Sequence, residues 1–399
     1  MTTYLLAGGG TAGHVNPLLA VADRIRLREP ESVVLVLGTA EGLEARLVPL
    51  RGYELLTVAR LPFPRRPSAA ALRFPSRLAQ AVQGVRDILA EHRVDVVVGF
   101  GGYASAPAYV AAWRSKVPFV VHEANAKPGI ANVLGSYLTS HVGTVFRSTS
   151  LRHGRQVGMP LRHEIETLDR RGSRAEAVAE FGLDPAKPTL LVTGGSSGAR
   201  RLNETMSAAA AAVLGAGWQI LHITGAKSDL GSSELPGHHL LRYCDRMDLA
   251  LSAADFVVSR SGSATVSELT ALGLPAVLVP YPVGNGEQRH NATDVVAAGG
   301  ALLVADADFT PDWVRSTLVG LLQDRAAIAE MAVRAGTVGV LDGTDRTVEL
   351  VREAVREAPA RADRDVPPRT QRHASSRTVS DRHTDRTDAQ TEKASPERP

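Results

Sequence analysis

The chain has 399 residues, 44% of them hydrophobic and 22% charged, with a formal net charge of +3. That is ample apolar material for more than one core, and at roughly 100–200 residues per domain it suggests two domains. The single cysteine, Cys244, excludes an intramolecular disulfide and fits a reducing compartment, while no apolar run approaches the ~18 residues that a membrane helix needs.

The first strand is expected at Tyr4–Ala7; it meets Gly8 too soon to serve as a signal-peptide core. A helix follows over Pro17–Glu29, then a strand at Val33–Leu37, a helix at Arg77–Glu91 and strands at Val94–Val98 and Phe119–Val121. In the second half, strands are expected at Thr189–Thr193, Gln219–Ile223, Phe256–Ser259 and Ala276–Val279, with helices at Asn203–Ala216 and Thr265–Ala271. The strands are near-continuous apolar runs, as in buried parallel sheets. Their alternation with helices argues for doubly wound βαβ units, and the pattern occurs twice. The expectation is an α/β chain of two Rossmann-like parallel-sheet domains, 1–160 and 161–344, facing each other across a cleft. The connector lies near Pro160–Gly172. A helix within 345–358 is expected to pack back across the junction, ahead of a disordered tail at 359–399. From Ala360 onward the tail carries nine basic and seven acidic residues and no aromatic, too little apolar surface to fold. The remaining body is nearly neutral, which argues against nucleic acid as a partner.

Chemistry concentrates in the turns after the strands. Gly8-x-Gly10-x-x-Gly13 matches the dinucleotide fingerprint, in which glycines admit a phosphate or sugar close to the backbone. A nicotinamide enzyme needs an acidic residue at the end of its second strand; here that strand runs into Gly38-Thr39-Ala40 and reaches Glu41 only later. His14 follows the loop directly, at a strand-to-helix junction suited to a proton acceptor. Gly194-Gly195-Ser196-Ser197-Gly198-Ala199 repeats the device, with Ser196 expected to face a nucleotide diphosphate; no Lys-Ser/Thr follows, which excludes a P-loop. Glu268 lies in the stretch Ser259–Glu268 at a helix start. There it serves either the helix dipole or, by a bidentate grip, a ribose diol. The polar loop Tyr281–Asn291, including Gln288, offers amides for sugar hydroxyls.

Five ordered motifs converge on one family. Gly9–Pro17, Gly99–Pro107, His122-Glu123-Ala124-Asn125, Gly194–Arg200 and Arg260–Glu268 together resemble the glycosyltransferase family 28 enzymes that complete lipid II, over about residues 3–356. The resemblance implies a GT-B fold and inverting transfer of N-acetylglucosamine from UDP-GlcNAc to the muramoyl C4 hydroxyl of undecaprenyl-linked lipid I, with no cofactor and no metal. It places Thr11, Ala12, Gly13, Asn125, Arg162, Ser196, Glu268 and Gln288 around the donor, and His14, Tyr103 and Glu123 near the acceptor and reacting sugar. His14 is the expected base, with Glu123 as its rival or its orienting partner. Where the family has His-Glu-Gln-Asn this chain has Ala124, and Met159 replaces the Asn that precedes the proline before Arg162. The lipid acceptor calls for membrane contact. Phe63, Arg65, Arg66, Arg73, Phe74 and Arg77 interleave bases with apolar residues, as a surface resting on an anionic membrane would. The implied setting is peripheral, at the cytoplasmic face of the cell membrane, with cell-wall synthesis and division proteins as further partners. The alternatives are another UDP-sugar enzyme of the same fold (a 2-epimerase or a different lipid glycosyltransferase), a non-catalytic nucleotide-sugar binder and an NAD(P)-dependent oxidoreductase.

Overall fold

The computed structural model describes residues 1–64, 69–195, 199–226, 228–283 and 286–358. The expected tail therefore lies outside the described residues, as do Arg65, Arg66 and Ser196.

Among the described residues the first half forms a seven-stranded parallel sheet: β1 (Thr3–Ala7), β2 (Val33–Gly38), β3 (Glu54–Thr57), β4 (Val96–Gly99), β5 (Phe119–Glu123), β6 (Val142–Thr144) and β7 (Gly154–Gln156). The second half forms a six-stranded one: β8 (Thr189–Thr193), β9 (Gln219–Ile223), β10 (His238–Leu241), β11 (Phe256–Ser259), β12 (Ala276–Leu278) and β13 (Ala301–Leu303). The strand orders, β3-β2-β1-β4-β5-β6-β7 and β10-β9-β8-β11-β12-β13, both reverse direction beside the first strand of the sheet. At such a switch point neighbouring crossovers leave in opposite directions and open a crevice at the carboxyl ends of the strands. Register follows from apolar matching: Leu5 lies opposite both Leu35 and Val97, and Val257 opposite Leu191 and Ala276.

Each sheet is covered on two faces. In the first, Tyr4, Leu6, Val36 and Val98 pack under Val15, Leu18 and Ile25 of α1 (Ala12–Arg28), while Leu5, Leu37, Val97 and Val121 pack under Val82, Val85 and Leu89. Those last three belong to a long helix that, after the short α2 (Glu44–Leu50), forms α3 (Ala69–Glu91). The final helix, Gly343–Glu357, leaves the second half and packs on α1, β4 and β5 of the first. Its inward residues Thr344, Thr347, Val348, Val351 and Ala354 recur at helical spacing. Each fully buried Val or Leu there contributes roughly 1.5–3 kcal/mol. Arg352 clamps Glu29 at 2.8 Å beside this helix, and Arg24 joins Glu166 (2.5 Å) and Asp345.

Three sequence expectations need correction. The first helix begins at Ala12, so Pro17 lies inside it rather than at its start, and α3 begins eight residues before Arg77 with Pro75 inside it. Glu268 is the sixth residue of its helix, Ser263–Ala271, and no acidic side chain occupies the first turn. The dipole account of Glu268 therefore fails. Strands β3, β6, β7, β10 and β13, of three or four residues each, were not read from the sequence: the first four lack a continuous apolar run, and β13, Ala-Leu-Leu, is too short to stand out.

Candidate active site

The carboxyl ends of β1, β4 and β5 carry one lip of the crevice. Glycine 10, at φ +87°, turns the chain from β1 into α1, with Thr11 as the extended residue before the helix. Nδ1 of His14 lies 3.0 Å from the Gly9 carbonyl oxygen and 3.4 Å from the Thr11 hydroxyl. A carbonyl only accepts, so Nδ1 carries the proton in the neutral ring and Nε2 keeps its lone pair. The Nε2 edge faces Gly101, where a Cβ would lie 3.1 Å from it. Gly102 (φ +82°) is more tightly constrained, since a Cβ there would stand 2.5 Å from the Gly9 carbonyl oxygen. The loops after β1 and β4 thus touch backbone to backbone, and His14 is wedged between them. Tyr103, next in the chain, lies under the Arg60 guanidinium, 4.9 Å from ring centroid to Cζ.

Glu123 closes β5 and is buried. Its oxygens accept from the Asn125 amide (2.9 Å), the Gly129 amide (2.9 Å) and Asn132 Nδ2 (2.8 Å), and Asn132 in turn accepts from the Tyr109 hydroxyl at 2.7 Å. His14 is therefore oriented by the Gly9 carbonyl, and Glu123 organises the Asn125–Gly129 turn. Asn125 reaches the other half. Its Oδ1 accepts from Asn291 Nδ2 (3.3 Å), while Asn291 Oδ1 accepts from the Ala126 amide (2.9 Å) and its Nδ2 also reaches the Ser261 carbonyl.

The facing lip comes from β11, β12 and their turns. Gly13 comes close to this lip: a Cβ on it would be 4.0 Å from the Ser263 hydroxyl, at the start of helix Ser263–Ala271. The amino ends of two helices thereby converge on one space, and both favour an anion. Arg162 donates to Glu268 Oε1 at 3.1 Å. Burial pushes the Glu268 carboxyl above its ordinary range, and the Arg162 charge only partly opposes this. Arg162 also lines a cavity of about 250 Å³ with Asn16, Leu19, Leu47, Leu50 and Arg51. Gln288 turns its oxygen inward to accept from the Tyr281 amide at 2.9 Å. Asp306, part of the only Asp-x-Asp sequence among the described residues, accepts from buried Arg260 at 2.6 Å and so balances a cation.

On the outer surface Phe63 and Phe74 pack against each other, ring centroids 5.3 Å apart, and both are half-buried. Arg73 and Arg77, one helical turn apart on α3, are exposed, as is Leu72. Helix α3 packs beside α4 (Ser105–Arg114), and α4 beside α5 (Ile130–Ser136). These neighbours expose Trp113, Ile130 and Val133, with Tyr137 just beyond. Among the described residues no helix is long and apolar enough to cross a membrane.

The residues brought together are Thr11, Ala12, Gly13, His14, Tyr103, Glu123 and Asn125 on one lip and Arg162, Glu268 and Gln288 on the other. Sequence reasoning passed over Asn132 and Asn291 as site residues. Asn291 stood in a polar loop already noted, whereas Asn132 had no local signal.

Two nucleotide-fold sheets with an imidazole on one lip and a cation–carboxylate pair on the other have the architecture of a GT-B glycosyltransferase. Residues 4–144 match the glycosyltransferase family 28 N-terminal domain and residues 189–347 its C-terminal domain. The chain belongs to glycosyltransferase family 28. It is 61% identical, over 90% of its length and all of the relative's, to the UDP-N-acetylglucosamine–N-acetylmuramyl-(pentapeptide) pyrophosphoryl-undecaprenol N-acetylglucosamine transferase of Leifsonia xyli subsp. xyli. The transferase of that name from Clavibacter sepedonicus is 60% identical over 90% of this chain and 99% of its own. The crystal structure of Acinetobacter baumannii MurG superposes with a TM-score of 0.75 at 27% identity, covering 88% of this chain and all of that one.

Proposed function

We infer that this chain transfers N-acetylglucosamine from UDP-GlcNAc to lipid I, the undecaprenyl-diphosphate-linked muramoyl pentapeptide, and so forms lipid II for peptidoglycan synthesis. The function rests on full-length relatives at 60% identity and above. The chemistry rests on one observation: the Gly9 carbonyl at 3.0 Å from His14 Nδ1, which leaves Nε2, beside Gly101, with its lone pair.

In the reading we favour, the acceptor C4 oxygen attacks the anomeric carbon of the donor as the bond to the diphosphate breaks, inverting that centre. His14 Nε2 receives the hydroxyl proton. Glu123 is the weaker candidate, because three of its acceptor positions are already filled by N–H groups. Charge on the departing UDP is met by the amino ends of α1 and helix Ser263–Ala271 and by Arg162. Donors already aimed at developing charge commonly supply the largest catalytic contribution. Glu268, with one oxygen on Arg162, offers the other to the ribose diol. Gln288 has its NH2 group left for a sugar hydroxyl, Asn125 and the Thr11–Gly13 turn complete the donor pocket, and Tyr103 borders the acceptor. Residues 1–160 then form the acceptor and membrane half, 161–344 the donor half, and 345–358 the helix that ties them.

For the membrane, Arg73 and Arg77 and the exposed apolar residues of α3–α5 make a face fit for an anionic cytoplasmic leaflet, where each base is worth about 1 kcal/mol. Cell-wall synthesis and division proteins remain proposed partners.

An oxidoreductase is disfavoured by the stretch after β2, where the buried acid is Glu44 at the start of α2. It is turned inward onto the Gly10 amide at 2.8 Å rather than outward to a ribose. The test of the proposed function is mass spectrometry of products from UDP-GlcNAc and a short-chain lipid I analogue. A disaccharide product with released UDP is expected, lost in His14→Ala; free N-acetylmannosamine and no disaccharide would indicate an epimerase instead.

A further inference from the structure

Beneath the first glycine turn lies a carboxylate that the transfer reaction does not explain. Glu44, the first residue of α2, is fully buried. Its Oε2 accepts from the Gly10 amide at 2.8 Å, and its Oε1 accepts from the Thr39 amide at 2.9 Å and the Thr39 hydroxyl at 2.8 Å. Glycines enclose it, and a Cβ at Gly9, Gly38 or Gly42 would stand 2.2, 2.5 or 2.1 Å from the Glu44 side chain. Burying a charge costs several kcal/mol unless its acceptors are satisfied, so a carboxylate in this position demands a role.

We propose that Glu44 is a positioning residue for the transfer: by holding the Gly10 amide it fixes the Gly9–Gly10 turn so that the Gly9 carbonyl locks His14 with Nε2 toward the acceptor. The proposal rests on the reading of His14 as the base. Geometry makes the chain of contacts short. Glu44 grips the Gly10 N–H, and the peptide that carries that N–H is the one whose carbonyl oxygen, on Gly9, holds His14 Nδ1 at 3.0 Å. One rigid plane therefore links the carboxylate to the imidazole, because the peptide unit does not twist. Burial pushes the Glu44 carboxyl up, but the Gly10 and Thr39 amides and the Thr39 hydroxyl outweigh it and hold the group below the ordinary carboxylate range. It is charged at neutral pH and polarises that peptide, which strengthens the carbonyl as an acceptor for the imidazolium formed during turnover.

The experiment is a double-mutant cycle of Glu44→Gln with His14→Ala, measuring kcat, KM for UDP-GlcNAc and the pH profile of kcat, with thermal unfolding as the check on folding. Glutamine keeps the shape but sets its NH2 against an N–H donor. In Glu44→Gln, kcat should fall by about tenfold or more with KM within about twofold, a loss confined to the transition state. The acidic limb of the profile should move down by about half a pH unit, since the imidazolium loses a polarised acceptor. In the His14→Ala background the same substitution should change kcat by less than about twofold. A folded Glu44→Gln enzyme with unchanged kcat, or an equal loss in both backgrounds, overturns the proposal while leaving His14 as the base. Wild-type turnover by His14→Ala overturns the base and the proposal together. Glu44→Asp, which keeps the charge but draws it away from Gly10, gives the same readout if the glutamine variant does not fold.

Discussion

The two halves share a strand order and reverse it at the same place, yet the turns that form the two lips come from different strands, β1 in the first half and β11, the counterpart of β4, in the second. In the first half the turn after β1 presses backbone to backbone on the loop after β4, and its Gly10 amide is taken by the protein's own Glu44. In the second half the turn after β11 opens a helix with no acidic residue in its first turn; its Arg260 pairs with Asp306, and Glu268, further along the helix, pairs with Arg162. One turn has its Gly10 amide taken by an internal carboxylate and leads into His14, the proposed base. The other carries the Arg162–Glu268 pair, proposed for the donor. On the proposed reading the first lip moves the proton, and both lips meet the donor, with the carboxylate grip on the second alone.

The sharpest way to break this contrast is to remove the acceptor. His14→Ala should lower kcat by about 10²–10⁴-fold with little change in KM for UDP-GlcNAc, because a positioned base acts in the transition state alone. A variant that instead raised KM and kept kcat would place His14 with the donor. On the opposite lip, Glu268→Ala should act mainly on donor binding. Losing the carboxylate removes the proposed ribose contact and strips Arg162 of its partner, so KM for UDP-GlcNAc should rise by about tenfold or more, as expected for a charged hydrogen bond worth roughly 1.5–3 kcal/mol. Equal kcat losses on the two lips, with no KM change on either, would erase the distinction between them. The outer face of the first half offers a milder test. Arg73→Glu with Arg77→Glu should reduce sedimentation with anionic vesicles and leave turnover of a water-soluble acceptor near wild type, whereas unchanged sedimentation would remove those arginines from the membrane face.

Sequence legibility follows the same physics. Strands β8, β9 and β11 were read with their observed limits because they lie inside the sheet and are buried on both faces, so apolar residues dominate them. The edge strands β3, β7 and β10 carry residues such as Glu54, Arg155 and His239, because an edge or a half-covered face tolerates polarity, and they were invisible for that reason. At the site, His14 and Glu268 were legible from glycine-rich turns, since such turns mark where a backbone must bend tightly at the end of a strand. Their partners were not. That His14 answers to the Gly9 carbonyl rather than to Glu123, and that Asn291 bonds across the junction to the Asn125–Ala126 segment, depends on contacts between residues far apart in the chain. Glu44 is the plainest case: in sequence it is one acid near a second strand, and only the fold turns it inward.

The smallest predicted effect is on stability, in the core of the second half, where no substrate reaches. His222, in the middle of β9, has its Nε2 3.1 Å from Asn203 Oδ1, while Asn203 Nδ2 donates to the Thr224 carbonyl at 2.7 Å. Asn203 is thereby fixed as the acceptor, so His222 Nε2 carries the proton and Nδ1 accepts from His238 Nε2 at 3.3 Å, the two rings stacked at 5.6 Å. Burial, reinforced by His238, lowers the His222 pKa to about 3, and burial lowers that of His122 to about 4. Below the unfolded value of ~6.5 the unfolded chain binds these protons while the native chain refuses them. Stability is therefore complete above that value and declines as pH falls from it toward 3, by up to about 1.4 kcal/mol per pH unit for each such histidine. Urea unfolding between pH 7 and pH 4.5 should show this decline. His222→Leu should be less stable at pH 7 by about 1–3 kcal/mol, because it orphans buried Asn203 and His238. Its acid slope should nevertheless be shallower by about one proton's worth. An identical slope in the two proteins would mean that His222 takes up its proton without unfolding and that the second half is less tightly closed around β9 than its hydrogen bonds require.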